Sequence, residues 1–188
     1  MYETVVFGGR THQRLTDLDA MRDRTLTISG ASKLFNMTGW RVGWITGPAD
    51  LIAGTRGVHG YTTFSAPTPL QEGVAAALEG AESAYFNGIA GQFEENHRRL
   101  GAALAKLGAR VFDTDGGYFL ICDVAETGMS GLEYCRWLVA TKKVAAVPLS
   151  VFHAPAADGS ERPCSLVRFA ICKQAHTIDQ AIAALEQP

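Results

Sequence analysis

Between Leu70 and Leu107 the apolar residues recur at the spacing of a helix face. Leu70, Val74, Ala77, Leu78, Ala81 and Tyr85 form one stripe, and Ile89, Phe93, Leu100, Leu104 and Leu107 continue it on a shifted phase. A period near 3.6 buries one side of a helix and would scatter the same residues over both faces of a strand. The phase shift over Tyr85–Gly91 predicts a bend or two abutting helices, with Asn96–Arg99 on the solvated face. This long helical stretch therefore separates a first segment from whatever follows Gly108.

The flanks read as short strands and turns. Thr4–Phe7, Thr25–Ile28 and Val42–Ile45 are expected strands in the first segment, the last stopped by Gly47-Pro48. Thr16–Met21 reads as a capped helical turn, and Asp50 as the cap of a following helix. After the long helix, Arg110–Phe112, Tyr118–Val124, Val144–Val147 and Leu166–Cys172 are expected strands, Leu132–Thr141 a helix and Phe152–Pro163 a loop. Thr177 to Gln180 has the spacing of a capping box opening the last helix. The pattern is α/β, in a chain of 188 residues that suits one domain or slightly more.

Composition narrows the function classes. A chain 47% hydrophobic is not disordered. Seventeen basic against nineteen acidic side chains give no electrostatic case for nucleic acid or an anionic membrane. No apolar run approaches the ~20 residues of a spanning helix, and the start, Met1 to Phe7, has no secretory pattern, so the expected location is cytoplasmic. Cys122, Cys135, Cys164 and Cys172 form no CxxC pair and no zinc-like cluster. They read as packed thiols, and no metal is expected.

Lys33 follows a short strand and the small residues Ser29-Gly30-Ala31-Ser32, and precedes an aromatic-rich run. Partial desolvation lowers an amine's pKa and suits it to a Schiff base with an aldehyde; a solvated loop lysine is the alternative. A serine acylase of the Ser-x-x-Lys type is excluded because the required position is Gly30. Arg41 could grip a phosphate with its planar fork or lie on the surface. Arg168 sits in an apolar run, where a charge needs an anionic partner; an internal ion pair and a substrate carboxylate both satisfy that need.

The run ISGASKLFNMTGWRVGW, residues 28–44, resembles the lysine signature of the class I/II, fold-type I pyridoxal-phosphate aminotransferases. YETVVFGGRTHQRLTDLDAMRDRT before it, then TTFSAPTPLQEGVAAAL, GGYFLICDV, VAAVPLSVFH and LVRFAICK, resemble family segments in the family's order. The branch it most resembles is the kynurenine, methionine and succinyl-diaminopimelate aminotransferase group. That resemblance implies the C-terminal half of such an enzyme. Residues 1–80 would be a remnant of the large cofactor-binding domain, and residues 81–188 the connecting helix and the small α/β domain.

The resemblance also implies roles. Lys33 would bind pyridoxal 5'-phosphate and shuttle a proton at the substrate's Cα. Arg41 would hold the cofactor phosphate, helped by Ser29 or Ser32, since Gly30 stands where the family usually has a phosphate-binding serine. Tyr2 would donate toward the cofactor's ring hydroxyl. Arg168 would clamp the substrate α-carboxylate, with Tyr118 and Phe152 flanking the substrate and Phe64 reaching a partner subunit. An amino acid and a 2-oxo acid would be the substrates, and an intact chain would be a homodimer.

Relatives run to roughly twice this length. The family's aspartate beneath the pyridine nitrogen, its glycine-rich phosphate loop and its stacking aromatic lie in the part without a counterpart here. Activity of these residues alone is therefore expected to be doubtful. A non-catalytic remnant or partner-binding module, and a β-eliminating carbon–sulfur lyase on the same fold, are the alternative readings.

Overall fold

Gly30 and Gly43 stand opposite one another at the end of an antiparallel strand pair, β1 (Thr27–Gly30) and β2 (Gly43–Thr46), whose register runs back to Thr27 opposite Thr46. Glycine is required at 43: a Cβ there would fall 2.8 Å from the Ser29 carbonyl oxygen. The computed structural model describes residues 2–155, 157–159 and 162–187. Two compact units divide the chain, one running to Asn87 and one from Gly88.

In the first unit, residues 31–42 form an excursion between the two strands. It contains the single-turn helix α1 (Ala31–Leu34) and a 3-10 turn at Thr38–Trp40. Helices α2 (Ala49–Thr62) and α3 (Thr68–Gly80) follow, and α4 (Ser83–Lys106) begins. Ala31, Val42 and Val74 form a buried cluster with Phe35, Met37, Trp44 and Leu70 against it. Trp40 lies on α3 where Gly73 leaves room, since a Cβ at 73 would meet its ring at 2.8 Å. Phe35 packs on Tyr85 and Phe86, with ring centroids 6.4 and 5.9 Å away. The excursion is thus fastened to α3 and the start of α4 by apolar contacts.

The expected strand over Thr4–Phe7 is reduced to an isolated bridge at Val6, although Val5 and Phe7 are buried. The capped single turn expected over Thr16–Met21 is a 3-10 turn at Leu15–Asp17, and a second 3-10 turn follows at Arg22–Arg24. Asp50 does not cap α2. The helix begins at Ala49 after Pro48, and Asp50 lies in its first turn, where a carboxylate favours the positive end of the helix dipole. The helical stretch is two abutting helices, parted at Ala81–Glu82.

The second unit has strands β3 (Arg110–Val111), β4 (Phe119–Asp123), β5 (Val147–Pro148) and β6 (Leu166–Ala170) in the order β3-β4-β6-β5, every neighbouring pair antiparallel. Alternation sorts the two central strands: Leu120, Cys122, Val167 and Phe169 are buried on one face, while Phe119, Ile121 and Arg168 occupy the other. Helices α4, α5 (Gly131–Trp137, continued by a π turn at Leu138–Lys142) and α6 (Ala175–Glu186) complete this unit. Gly101 brings α4 against β3 and β4, where a Cβ would lie 3.3 Å from Val111 and 3.5 Å from Leu120. Gly131 starts α5 against the Leu166 carbonyl, and its N–H donates to Cys164 O at 2.8 Å.

Three expectations change here for physical reasons. Asn96 is not on a solvated face: it is 1% exposed, and its Nδ2 donates at 2.9 Å to both Ile171 O and Lys173 O, capturing carbonyls just past the end of β6. The capping box lies at Ser130 and Glu133 rather than at Thr177, with Ser130 N–H donating to Glu133 Oε2 at 2.8 Å; Thr177 falls inside the first turn of α6, whose N-cap is Gln174. β5 begins only at Val147, and β6 stops at Ala170, leaving Cys172 outside the strand. The expected loop over 152–163 includes residues 156, 160 and 161, which lie outside the described residues, and Phe152 ends a 3-10 turn. All four cysteines are free thiols, two buried and two half-buried.

Replacing Asn96 with leucine removes both donors while keeping bulk. The expected cost is about 2 kcal/mol, since a buried carbonyl then loses its partner, and urea unfolding measures it; an unchanged midpoint would show that the fork is dispensable. Burial also pushes Cys122 and Tyr134 up to about 12 and Cys135 up to about 11. These groups stay neutral in the fold but ionise once unfolded, so they stabilise fully below the ordinary thiol range. That stability drains away as pH rises from about 9 toward 12. Urea midpoints should fall steadily from pH 8 to 10.5, and the fall should be shallower in Cys122→Ala.

Candidate active site

Lys33 lies on α1 between two buried neighbours, Ala31 and Leu34, and is itself half-buried. The excursion that carries it is closed at two further points. Ala31 N–H donates to Val42 O at 3.1 Å, and Thr38 Oγ1 donates to Ser32 O at 2.9 Å. Arg41, at the end of the 3-10 turn, adopts the left-handed region with φ 57° and ψ 33°. For a residue with a Cβ this costs about 1 kcal/mol, and the flanking backbone bonds and the buried Val42 enforce it. The amine and this exposed guanidinium therefore share one short, cross-tied segment with Ser32.

Ser29 is buried at the end of β1, and its hydroxyl donates to Glu3 Oε1. Burial acts to raise the Glu3 pKa, but hydrogen bonds, that from Ser29 among them, outweigh it and hold the carboxyl below its ordinary range. This contact anchors the segment containing Tyr2 to the end of β1. Tyr2 is exposed, and its carbonyl accepts from Val5 N–H at 3.1 Å. Gly30 is buried with φ −170°, an extended conformation open to any residue, so its backbone does not demand a glycine. Phe64 follows α2 in the left-handed region at φ 65° and is 83% exposed.

The second unit holds Tyr118, Phe152 and Arg168. Arg168 is half-buried in the middle of β6, opposite Ile121 of β4 and Val147 of β5. Its guanidinium carbon lies 4.2 Å from the Phe119 ring centroid and 4.8 Å from that of Phe152. Among the described residues no carboxylate pairs with Arg168. Tyr118 is half-buried, its ring meeting Phe93 edge-on at 5.3 Å, and its carbonyl accepts from Ile171 N–H at 3.0 Å. Phe119 was not singled out by motif. Its signal is register: it lies two residues from Ile121, which puts it on the Arg168 face. No group of His, Cys, Asp or Glu able to hold a metal occurs among the described residues.

The donor set can be tested against pyridoxal phosphate. An aldehyde needs an amine, and a phosphate dianion needs a guanidinium or N–H donors. Lys33 and Arg41 supply both kinds on residues 31–42, with the Ser32 hydroxyl on the same helix as the amine. Ser29 fits less well, because its hydroxyl is given to a carboxylate that would repel phosphate. The residues present thus fit the aldehyde and phosphate ends of the group through Lys33, Arg41 and Ser32.

The model of the aminotransferase class I and II family matches residues 1–185. The probable N-succinyldiaminopimelate aminotransferase DapC of Mycobacterium tuberculosis is 40% identical over 190 residues, covering 98% of this chain and 48% of that protein. Kynurenine–oxoglutarate transaminase 3 of Rattus norvegicus is 34% identical over 200 residues, covering 96% of this chain and 43% of that protein. Among solved structures, the N-succinyldiaminopimelate aminotransferase from Mycobacterium tuberculosis superposes with a TM-score of 0.84 over 98% of this chain and 47% of its own, at 40% identity. Escherichia coli YbdL, described as having a methionine aminotransferase function, superposes with a TM-score of 0.87 over 100% of this chain and 48% of its own, at 32% identity. The chain spans about half the length of the curated relatives it matches. A match across nearly all of its residues, together with a fold shared with these structures, places the chain in the class I and II aminotransferases, the pyridoxal-phosphate family of fold type I.

Proposed function

We propose that this chain is the C-terminal part of an aminotransferase that moves an amino group from an α-amino acid to a 2-oxo acid, using pyridoxal 5'-phosphate. The observation that carries the reading is the cross-tied segment 31–42, which contains both Lys33 and Arg41, in a chain whose relatives are named as aminotransferases. In this reading residues 1–80 are the end of the large cofactor-binding domain, and residues 81–188 are the connecting helix and small domain. Free thiols suit a reducing, cytosolic setting.

When bound, pyridoxal phosphate supplies an aldehyde and an electron-withdrawing ring. The chain's own residues do the remaining work. Lys33 Nζ would hold the aldehyde carbon, with loss of water, and once displaced by the substrate's amine would carry a proton to and from the substrate's Cα. Arg41 holds the phosphate through paired N–H donors, and the Ser32 hydroxyl adds a neutral one. Tyr2 orients the ring through its hydroxyl. Arg168 receives the substrate α-carboxylate, and Phe152 and Tyr118 bound the substrate on the small-domain side. Phe64 reaches into the site of a second subunit. Its 83% exposure in a left-handed backbone supports that role, as does α2, which contains no buried residue.

Incubation with pyridoxal phosphate and borohydride should attach the pyridoxyl mass to the peptide containing Lys33, read by mass spectrometry. Equal labelling of Lys106, Lys142, Lys143 and Lys173 would sink the assignment. Arg41→Ala should weaken cofactor retention on dialysis by roughly tenfold or more, as expected for losing hydrogen bonds to a charged group.

Gly43→Ala tests the frame. The added methyl collides with backbone, so it should destabilise the chain by about 1–3 kcal/mol and lower Lys33 labelling together. Full labelling at parental stability would show that the strand closure is not needed.

A further inference from the structure

We propose that Phe119 and Phe152 are positioning residues that hold the Arg168 guanidinium flat, with its in-plane N–H donors turned to a carboxylate; this rests on the reading of Arg168 as the carboxylate site.

Strand order generates the arrangement. β6 lies between β4 and β5, so it can be approached from both sides. Ile121 stands directly opposite Arg168, which puts Phe119 diagonally across on the same face of the sheet. Val147 stands opposite Arg168 on the other side, and the 3-10 turn Leu149–Phe152 that follows β5 brings the second ring. The two centroids are 4.2 and 4.8 Å from the guanidinium carbon, well within reach of a favourable cation–ring contact. One ring comes from the strand before β6 in the sheet, the other from the turn beyond the strand after it.

A ring over a guanidinium engages the face of the group and leaves the donors at its rim available. Arginine combines such stacking with bidentate pairing, which lysine does not. The rings also keep water from the faces, and a guanidinium held in one plane loses less freedom on binding. No carboxylate among the described residues pairs with Arg168, so the rings hold the cation without consuming its donors. Phe152 itself is 59% exposed, an expense for a large aromatic unless its ring has such a use.

The test uses the full chain, with propionate as the carboxylate probe and the arginine Nε–H resonances as readout. Ring currents should displace the Arg168 Nε–H signal in the parent, and propionate should shift it. Phe119→Leu and Phe152→Leu should each abolish part of that displacement and weaken propionate binding about threefold to thirtyfold. Phe119→Tyr and Phe152→Tyr should restore both, which a merely space-filling role would not predict. If Arg168→Gln loses propionate binding but the leucine variants bind like the parent, the positioning role is overturned and the carboxylate site stands. If Arg168→Gln binds like the parent, or the parent binds no propionate, the carboxylate reading itself falls and the positioning role with it.

Discussion

The closure of β1 on β2 at Gly30 and Gly43 governs the amine-bearing half of the candidate site. An antiparallel pair fixes its two end residues about 5 Å apart, so whatever lies between them must leave and return to the same place. Residues 31–42 do so, with a backbone bond at Ala31 and Val42 and a side-chain bond at Thr38 drawing the excursion tighter. The Cβ forbidden at Gly43 is the sterically explicit part of this constraint. Burial of Ala31, Val42 and Val74, each valine contributing roughly 1.5–3 kcal/mol, holds the excursion on α3. The strained backbone of Arg41 is a local expense set against that packing.

Much of this was legible in the residues. Apolar periodicity predicted the strands around Leu120 and Phe169, whose alternate residues bury one face. It also predicted two abutting helices, but with the break at Tyr85–Gly91, whereas α3 ends at Gly80 and Leu78 and Tyr85 of the expected stripe are exposed. What failed was polar. Asn96 reads as surface among Glu95, His97 and Arg98, and nothing local reveals that two carbonyls seventy-five or more residues away need its amide. Thr177 has the right neighbours for a capping box, yet α6 starts earlier, where Gln174 exits from the strand's end. Of the candidate site, Lys33, Arg41 and Arg168 stood out by motif and resemblance. Phe119 and Glu3 did not, since register and a long-range contact bring each to its partner.

The two units differ in how far each buries itself. The second has four strands with buried helix residues such as Leu100, Leu104, Tyr134 and Leu138 around them. The first has two strands, and two strands alone are marginal in water. Ile28 on β1 is 71% exposed, Tyr61 on α2 is 95% exposed, and α2 buries nothing completely. Exposed apolar surface of this kind is common where one protein surface meets another. It accords with relatives about twice as long and with the proposed second subunit.

The candidate groups also differ in what their tasks allow. A proton carrier must reach more than one position, so Lys33 in its proposed role needs side-chain freedom. The half-buried lysine sits on a one-turn helix, and the cross-ties of the excursion keep its Cα in place. A carboxylate clamp gains by standing still. Arg168 is set in the middle of a sheet, bonded to strands on both sides, with aromatic rings limiting its rotamers. Mobile functional elements come from the less stable parts of a fold and fixed ones from the most stable. The placement of the amine in a small, partly exposed unit and of the guanidinium in a well-buried sheet accords with the proposed roles, proton transfer for Lys33 and carboxylate recognition for Arg168.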